Sequence, residues 1–183
     1  MRIRLKFTAI IIGLFCGLGI ALLPAAAQDK EPHQVLSLQV SAVAVEPPTI
    51  EEIPGGGIVF KVNPVGTVAG DLEGTFSQRV IQVESGEFLS DFEAGLAWLE
   101  PVAVFFTITT DEGVIEGYYT GAFYFPEETF PSDAAFKERG LVLSVTAAYS
   151  DLYLADIYYD GIVDFTDEGI PLGDSGTITI APR

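Results

Sequence analysis

The sequence predicts an antiparallel up-and-down β-barrel of about eight strands, with one or two short helices. Three observations carry that prediction. Runs of β-branched and aromatic residues recur between short turn signals from Ile58 to Pro182, the composition of a pleated, half-buried surface. The longest runs alternate apolar and polar side chains with period two, so each has one oily face. Glycines such as Gly74, Gly117, Gly121 and Gly161 fall on those apolar faces, where a missing side chain permits strong curvature or close approach.

The N-terminus has the three parts of an export signal. Arg2, Arg4 and Lys6 make a positive region, Phe7 to Leu23 is apolar, and Pro24-Ala25-Ala26-Ala27 offers small residues for cleavage before Gln28. Residues 1–27 therefore read as a signal peptide, and the protein as exported, secreted or periplasmic. The sole cysteine, Cys16, lies in this segment behind Gly13-Leu14-Phe15, which is not the setting of a lipoprotein signal. The mature chain has no thiol and no disulfide, and no membrane span is expected after cleavage.

The whole chain has 183 residues, with 26 acidic and nine basic side chains. Taking away Arg2, Arg4 and Lys6 leaves six basic residues and a formal charge of −20 from Gln28 onward. That balance argues against nucleic acid and anionic membrane surfaces as partners.

Residues 28–57 read as a Pro/Gly-rich tether, with Pro32, Pro47, Pro48, Pro54 and Gly55-Gly56-Gly57. Within it, Val35 to Val45 is apolar enough for an edge strand and no more. His33 is a lone histidine with no metal-spaced partner and reads as solvated. The barrel domain is expected over 58–183.

Ile58 to Val62 is a short strand stopped by Asn63-Pro64, and Leu72 to Val83 a long one. The adjacent Val80-Ile81 predicts a bulge near Gln78 to Val80. Arg79, amid so many carboxylates, is expected in an outward ion pair. Ser90-Asp91-Phe92-Glu93 matches a capping box, and Phe92, Leu96 and Leu99 follow helical spacing up to Pro101. This helix could plug one end of the barrel.

Val102 to Thr110 and Val114 to Phe125 form a hairpin around Asp111-Glu112-Gly113. A loop of even length puts Ile108 opposite Gly117, Phe106 opposite Tyr119 and Val104 opposite Gly121, all on one apolar face. A three-residue loop would bring Glu116 to that face, so the even loop is favoured. A second short helix is expected over Ser132 to Arg139, stopped by Gly140. Strands follow over Leu141 to Ala148, Tyr153 to Phe165 and Gly176 to Pro182. Glu73-Gly74, Glu116-Gly117 and Asp160-Gly161 each follow an apolar residue, and read as equivalent strand positions of a meander.

Motifs that could carry chemistry are few. Asp156, Asp160, Asp164 and Asp167 resemble a calcium loop at several positions, with Tyr158 where an acid is expected. On a strand, Asp156, Asp160 and Asp164 would stand about 13 Å apart in succession. One ion needs its oxygens within about 2.6 Å, so no metal is favoured. The sequence offers no nucleophile elbow, no histidine for a triad and no phosphate loop. Glu73 and Glu116 are the acids nearest a barrel mouth, and a solvated face is the reading favoured for them. Tyr118, Tyr119, Tyr124, Tyr149, Tyr153, Tyr158 and Tyr159 could line a pocket or simply pack. Phe106, Tyr119, Phe123 and Tyr159 are the candidate ligand-lining residues.

The pieces Gly70-Asp-Leu-Glu-Gly-Thr-Phe76, the Phe-x-Ile-Thr-Thr run ending at Thr110, Gly117-Tyr-Tyr-Thr-Gly121 and Gly176-Thr-Ile-Thr-Ile180 resemble the allene oxide cyclase and dirigent-like β-barrel superfamily. That resemblance implies a small eight-stranded antiparallel barrel. Ala147-Ala148-Tyr149-Ser150 stands where many bacterial relatives have a Gly-Gly-Thr-Gly-like turn, and no catalytic residue carries across. No catalytic set or cofactor is assigned, and the reading leans away from an enzyme. The expectation is an exported acidic barrel that binds a small apolar ligand. An isomerase or cyclase-like enzyme, by fold analogy, and an envelope or surface-associated structural protein are the alternatives.

Overall fold

Alternating burial along successive runs yields ten strands: β1 Leu36–Ala44, β2 Thr49–Ile53, β3 Gly57–Val62, β4 Pro64–Gly70, β5 Gly74–Glu84, β6 Pro101–Thr109, β7 Val114–Tyr124, β8 Ala134–Val145, β9 Asp156–Phe165 and β10 Pro171–Ala181. The computed structural model describes residues 34–54, 56–84, 101–124, 134–166 and 171–183. Residues 1–27, read as a signal peptide, His33, the helix expected over Ser90–Leu99, and Asp167 lie outside the described residues.

The strands close into an eight-stranded antiparallel barrel. Around the ring the order is β5, β4, β1, β10, β9, β8, β7, β6, and β6 returns to pair with β5. From β4 to β10 each strand of the ring pairs with the next in the chain, β1 pairs with β4 past the intervening β2 and β3, and β1 against β10 is the seam. β3 and β4 share one side of β5, divided at Asn63: β3 pairs with its Val80–Glu84 half and β4 with its Gly74–Ser77 half. β2 pairs only with β3 and is exposed along most of its length.

The seam corrects the edge-strand reading of Val35 to Val45. Leu36–Ala44 is a full wall strand, bonded to β4 on one side and β10 on the other, with Leu38, Val40 and Ala42 buried. Pro47 and Pro48 follow the strand instead of interrupting it, so they do not confine it to an edge. The described wall therefore begins well before Ile58.

The expected hairpin has its even loop, with the register shifted by two. Thr109 pairs with Val114, Ile108 with Ile115, Phe106 with Gly117 and Val104 with Tyr119. The four-residue loop is Thr110–Gly113, because Thr110 belongs to the turn. Its Oγ1 accepts from the Glu112 and Gly113 amides at 3.1 and 3.2 Å, and its own amide donates to the Gly113 carbonyl. A shift of two preserves the faces, so Phe106 and Tyr119 still lie on the same side, their rings stacked at 5.5 Å.

Other boundaries move for local reasons. The Ser132–Arg139 helix is not formed: from Ala134 on, this stretch is the first half of β8, bonded on both sides to β7 and β9. Its buried positions are Ala134, Phe136 and Glu138, a period of two. The Val80-Ile81 pair does not break the alternation of β5. Phe76, Gln78, Val80 and Gln82 are all buried, and the pairing irregularity falls between Ile81 and Gln82. Tyr153 is exposed ahead of β9, in the segment that follows a 3-10 turn over Ala147–Leu152. The acid-glycine echo is not a strand equivalence throughout: Glu116 and Asp160 lie within β7 and β9, whereas Glu73 precedes β5; all three acids are exposed, and Gly117 is buried beneath Phe106.

One end of the barrel is closed by apolar side chains. Leu38, Ile108, Ile115, Val142, Ile157, Ile178 and Ile180 are at most 1 % exposed, and Tyr149 and Leu152 of the 3-10 turn join them. The Tyr149 hydroxyl lies 2.5 Å from Thr110 Oγ1, and Thr146 Oγ1 accepts from the Val114 amide at 3.1 Å. The turn of the hairpin is thus clasped onto the 3-10 segment.

Close packing at Gly117 can be tested. A Cβ there would lie 2.4 Å from the Leu141 carbonyl oxygen and 2.6 Å from Phe106 Cε1. The backbone atom cannot swing away, so Gly117→Ala is expected to destabilise by about 1–3 kcal/mol, measured by urea unfolding.

Candidate functional site

From the closed end, the strands carry their inward positions up the barrel, and those positions turn polar. After Phe76, β5 places Gln78 and Gln82 inside. After Ile115, β7 places Tyr119; before Val142, β8 places Glu138. After Ile157, β9 places Tyr159, and before Ile178, β10 places Asp174. All six side chains are buried, Tyr119 and Glu138 at 0 % and 4 % exposure.

Two of these strands owe the arrangement to glycine. Gly121 stands opposite Glu138, and a Cβ on it would meet Glu138 Cγ at 2.9 Å and the Lys137 carbonyl oxygen at 2.1 Å. The missing side chain is the space that the Glu138 stem uses. Gly161 does the same for Phe136, whose Cζ would lie 2.5 Å from an added Cβ.

Aromatic rings surround the polar groups. Tyr159 meets Phe136 edge-on at 4.7 Å, Tyr119 at 5.4 Å and Phe76 at 6.4 Å, and Phe106 stacks on Tyr119. The Tyr159 hydroxyl donates to Asp174 Oδ2 at 2.5 Å, and Gln78 Nε2 donates to the same oxygen at 2.8 Å. Glu138 Oε1 and the Tyr119 hydroxyl are buried with no hydrogen-bond partner. Among the described residues no lysine or arginine is buried; the neighbours Lys137 and Arg139 are exposed.

This setting shifts every acid in it. Burial pushes the Glu138 carboxyl well above the ordinary carboxylate range, and the Asp174 charge adds to the rise. Burial also raises Asp174; the hydrogen bonds from Tyr159 and Gln78 pull it back in part, and Asp164 works in the upward direction. Both phenols are raised, first by burial and then by the carboxylates beside them. The arrangement is a pair of carboxyl groups held toward their neutral form, with two phenols, in an aromatic interior.

Of the expected lining residues, Phe106, Tyr119 and Tyr159 come together here. Phe123 stands opposite Phe136 in the backbone register, and its side chain lies outside the described residues. Glu73 and Glu116 are exposed, in keeping with a solvated face; Glu138 and Asp174 are the inward acids. The calcium-like motif is spread along β9, with Asp160 and Asp164 exposed and Asp156 paired with Arg183 at 2.6 Å. That hydrogen-bonded pair holds the Asp156 carboxyl below its usual range. Arg79 points outward, with its guanidinium 4.9 Å over the Phe105 ring, while Lys61 pairs with Glu51 at 2.6 Å. Among the described residues, no helix is long and apolar enough to cross a membrane.

Gln78, Gln82, Glu138 and Asp174 were not singled out by sequence reasoning. The available signal was parity: Glu138 falls between Phe136 and Gly140, and Asp174 two residues before Gly176, on the apolar period of each strand. Comparison with family models, curated proteins and solved structures finds no match.

The raised carboxyls predict a direction for stability against pH. The folded chain holds protons on Glu138 and Asp174 that the unfolded chain has released above about pH 4. Stability therefore falls as pH rises from that point toward the folded values. Glu138→Gln removes one such group, so its urea midpoint should fall less steeply than that of the parent between pH 4 and 8. Parallel curves would contradict this.

Proposed function

We propose that this protein is an exported binding module that takes a small, largely apolar ligand with one polar end into its barrel. The observation that carries the reading is the pair of unpartnered atoms, the Tyr119 hydroxyl and Glu138 Oε1, buried among aromatic rings. A buried polar group without a partner costs about 1–3 kcal/mol. A ligand that bonds to both atoms recovers that energy, and the interior of a barrel of about eight strands can either fill with side chains or hold one small ligand. The signal-like residues 1–27 and the cysteine-free chain after them support export. The resemblance to allene oxide cyclase and dirigent-like barrels supports the same architecture and assigns no residue a role.

Titration of the purified mature protein with Nile red, a neutral apolar dye with a carbonyl end, tests this. A saturable rise in fluorescence is expected, weakened by about 0.5–1.5 kcal/mol in Tyr119→Phe, which loses one hydrogen bond. Absence of saturable binding overturns the reading.

An isomerase or cyclase is the second reading, favoured by the same Glu138. A carboxyl kept protonated by burial beside a phenol is what a general-acid step requires. That reading requires turnover that Glu138→Gln abolishes.

A further inference from the structure

We propose that the ligand is a compact organic cation, a small primary ammonium, held between Glu138, Asp174 and the Tyr119 hydroxyl within the aromatic lining. This rests on the binding reading and adds the charge of the ligand to it.

Three observations point the same way. The interior holds two buried carboxyl groups and, among the described residues, no buried lysine or arginine to balance them. Buried carboxyl groups either stay neutral or, when ionised, are paired with a cation. Second, the open hydrogen-bonding capacity can be met by donors. Glu138 Oε1 is an unpartnered acceptor, and the Tyr119 oxygen can accept as well. An ammonium group brings three donors and no acceptor, and its charge favours the ionised form of the two carboxyls, which a neutral hydroxyl cannot do. Third, the rings of Phe106, Tyr119, Phe136 and Tyr159 pack on one another beside these polar groups, and an organic cation is attracted to aromatic faces. A hard metal ion fits less well, because it needs about six oxygens and no group of three or more acidic, histidine or cysteine side chains is placed to hold one among the described residues.

Binding an ammonium would favour the ionised carboxyls, so protons leave as the ligand arrives. The groups facing Glu138 are Tyr119 from β7, Tyr159 from β9 and Asp174 from β10, with Gln78 of β5 and Asp164 acting on Asp174. Burial keeps both phenols protonated, so the carboxyls are the source of the released protons. Affinity for the cation should therefore tighten as pH rises, by about tenfold per pH unit for each proton displaced.

Isothermal titration of the full mature protein with cyclohexylammonium chloride and with cyclohexanol, at pH 5.5 and pH 8, tests the assignment. The expected result is ammonium binding that is at least about tenfold tighter at pH 8, against cyclohexanol binding that is weaker and independent of pH. Glu138→Gln should lose the ammonium and keep the alcohol. If that variant does not fold, proton release by the parent protein, read as a heat that differs between two buffers, decides the same point. Cyclohexanol binding without the ammonium, ammonium binding without proton release, or calcium chloride binding in its place overturns the inference and leaves the binding module standing. Failure of both cyclohexyl compounds also overturns it, and the Nile red titration then shows whether the module reading falls with it.

Discussion

The interior of an eight-stranded ring is narrow, and a large side chain fits there only where a neighbouring strand gives way. Phe106 lies over Gly117, Phe136 over Gly161, and the Glu138 stem beside Gly121. Each glycine is a cutaway in the wall, and the side chain it admits comes from the adjacent strand. Together these pairs set which rings meet at the centre, and the centre in turn fixes the faces of β6 to β9. Removing the cutaway and removing the ring are therefore two ways to break the same fit.

That fit also explains how polar groups survive inside. Asp174 receives two hydrogen bonds, from Gln78 and Tyr159, so one acid is stabilised by strands on opposite sides of the ring. Glu138 has no such support and is the less satisfied member of the pair. A protein under selection for stability alone would replace it by an apolar side chain of similar size. Local dissatisfaction held in place by strong surroundings is the pattern expected where a site does something other than hold the fold together.

Much of the architecture was legible because strand side chains repeat every two residues. Apolar-polar alternation identified the wall, the glycines announced its curvature, and the even loop of the hairpin preserved the inner face through a register error of two. The error itself came from Thr110, whose hydroxyl prefers the turn to the ladder, a local competition that hydropathy does not encode. The site was harder to see for the same reason that the wall was easy. Glu138 and Asp174 were passed over because polarity sends carboxylates outward, whereas their parity places them inward. In Ser132–Arg139 a helical start and stop signal obscured the period of two, which long-range bonding to β7 and β9 then imposed.

The seam has a kinetic consequence. Every other junction of the ring joins strands close in the chain, but β1 meets β10 across a span such as Gln39 to Thr177, 138 residues apart. Loop-closure entropy makes that junction the slowest to form. The ring thus cannot seal until β10 is available to meet β1, and a nascent chain stays open up to that point.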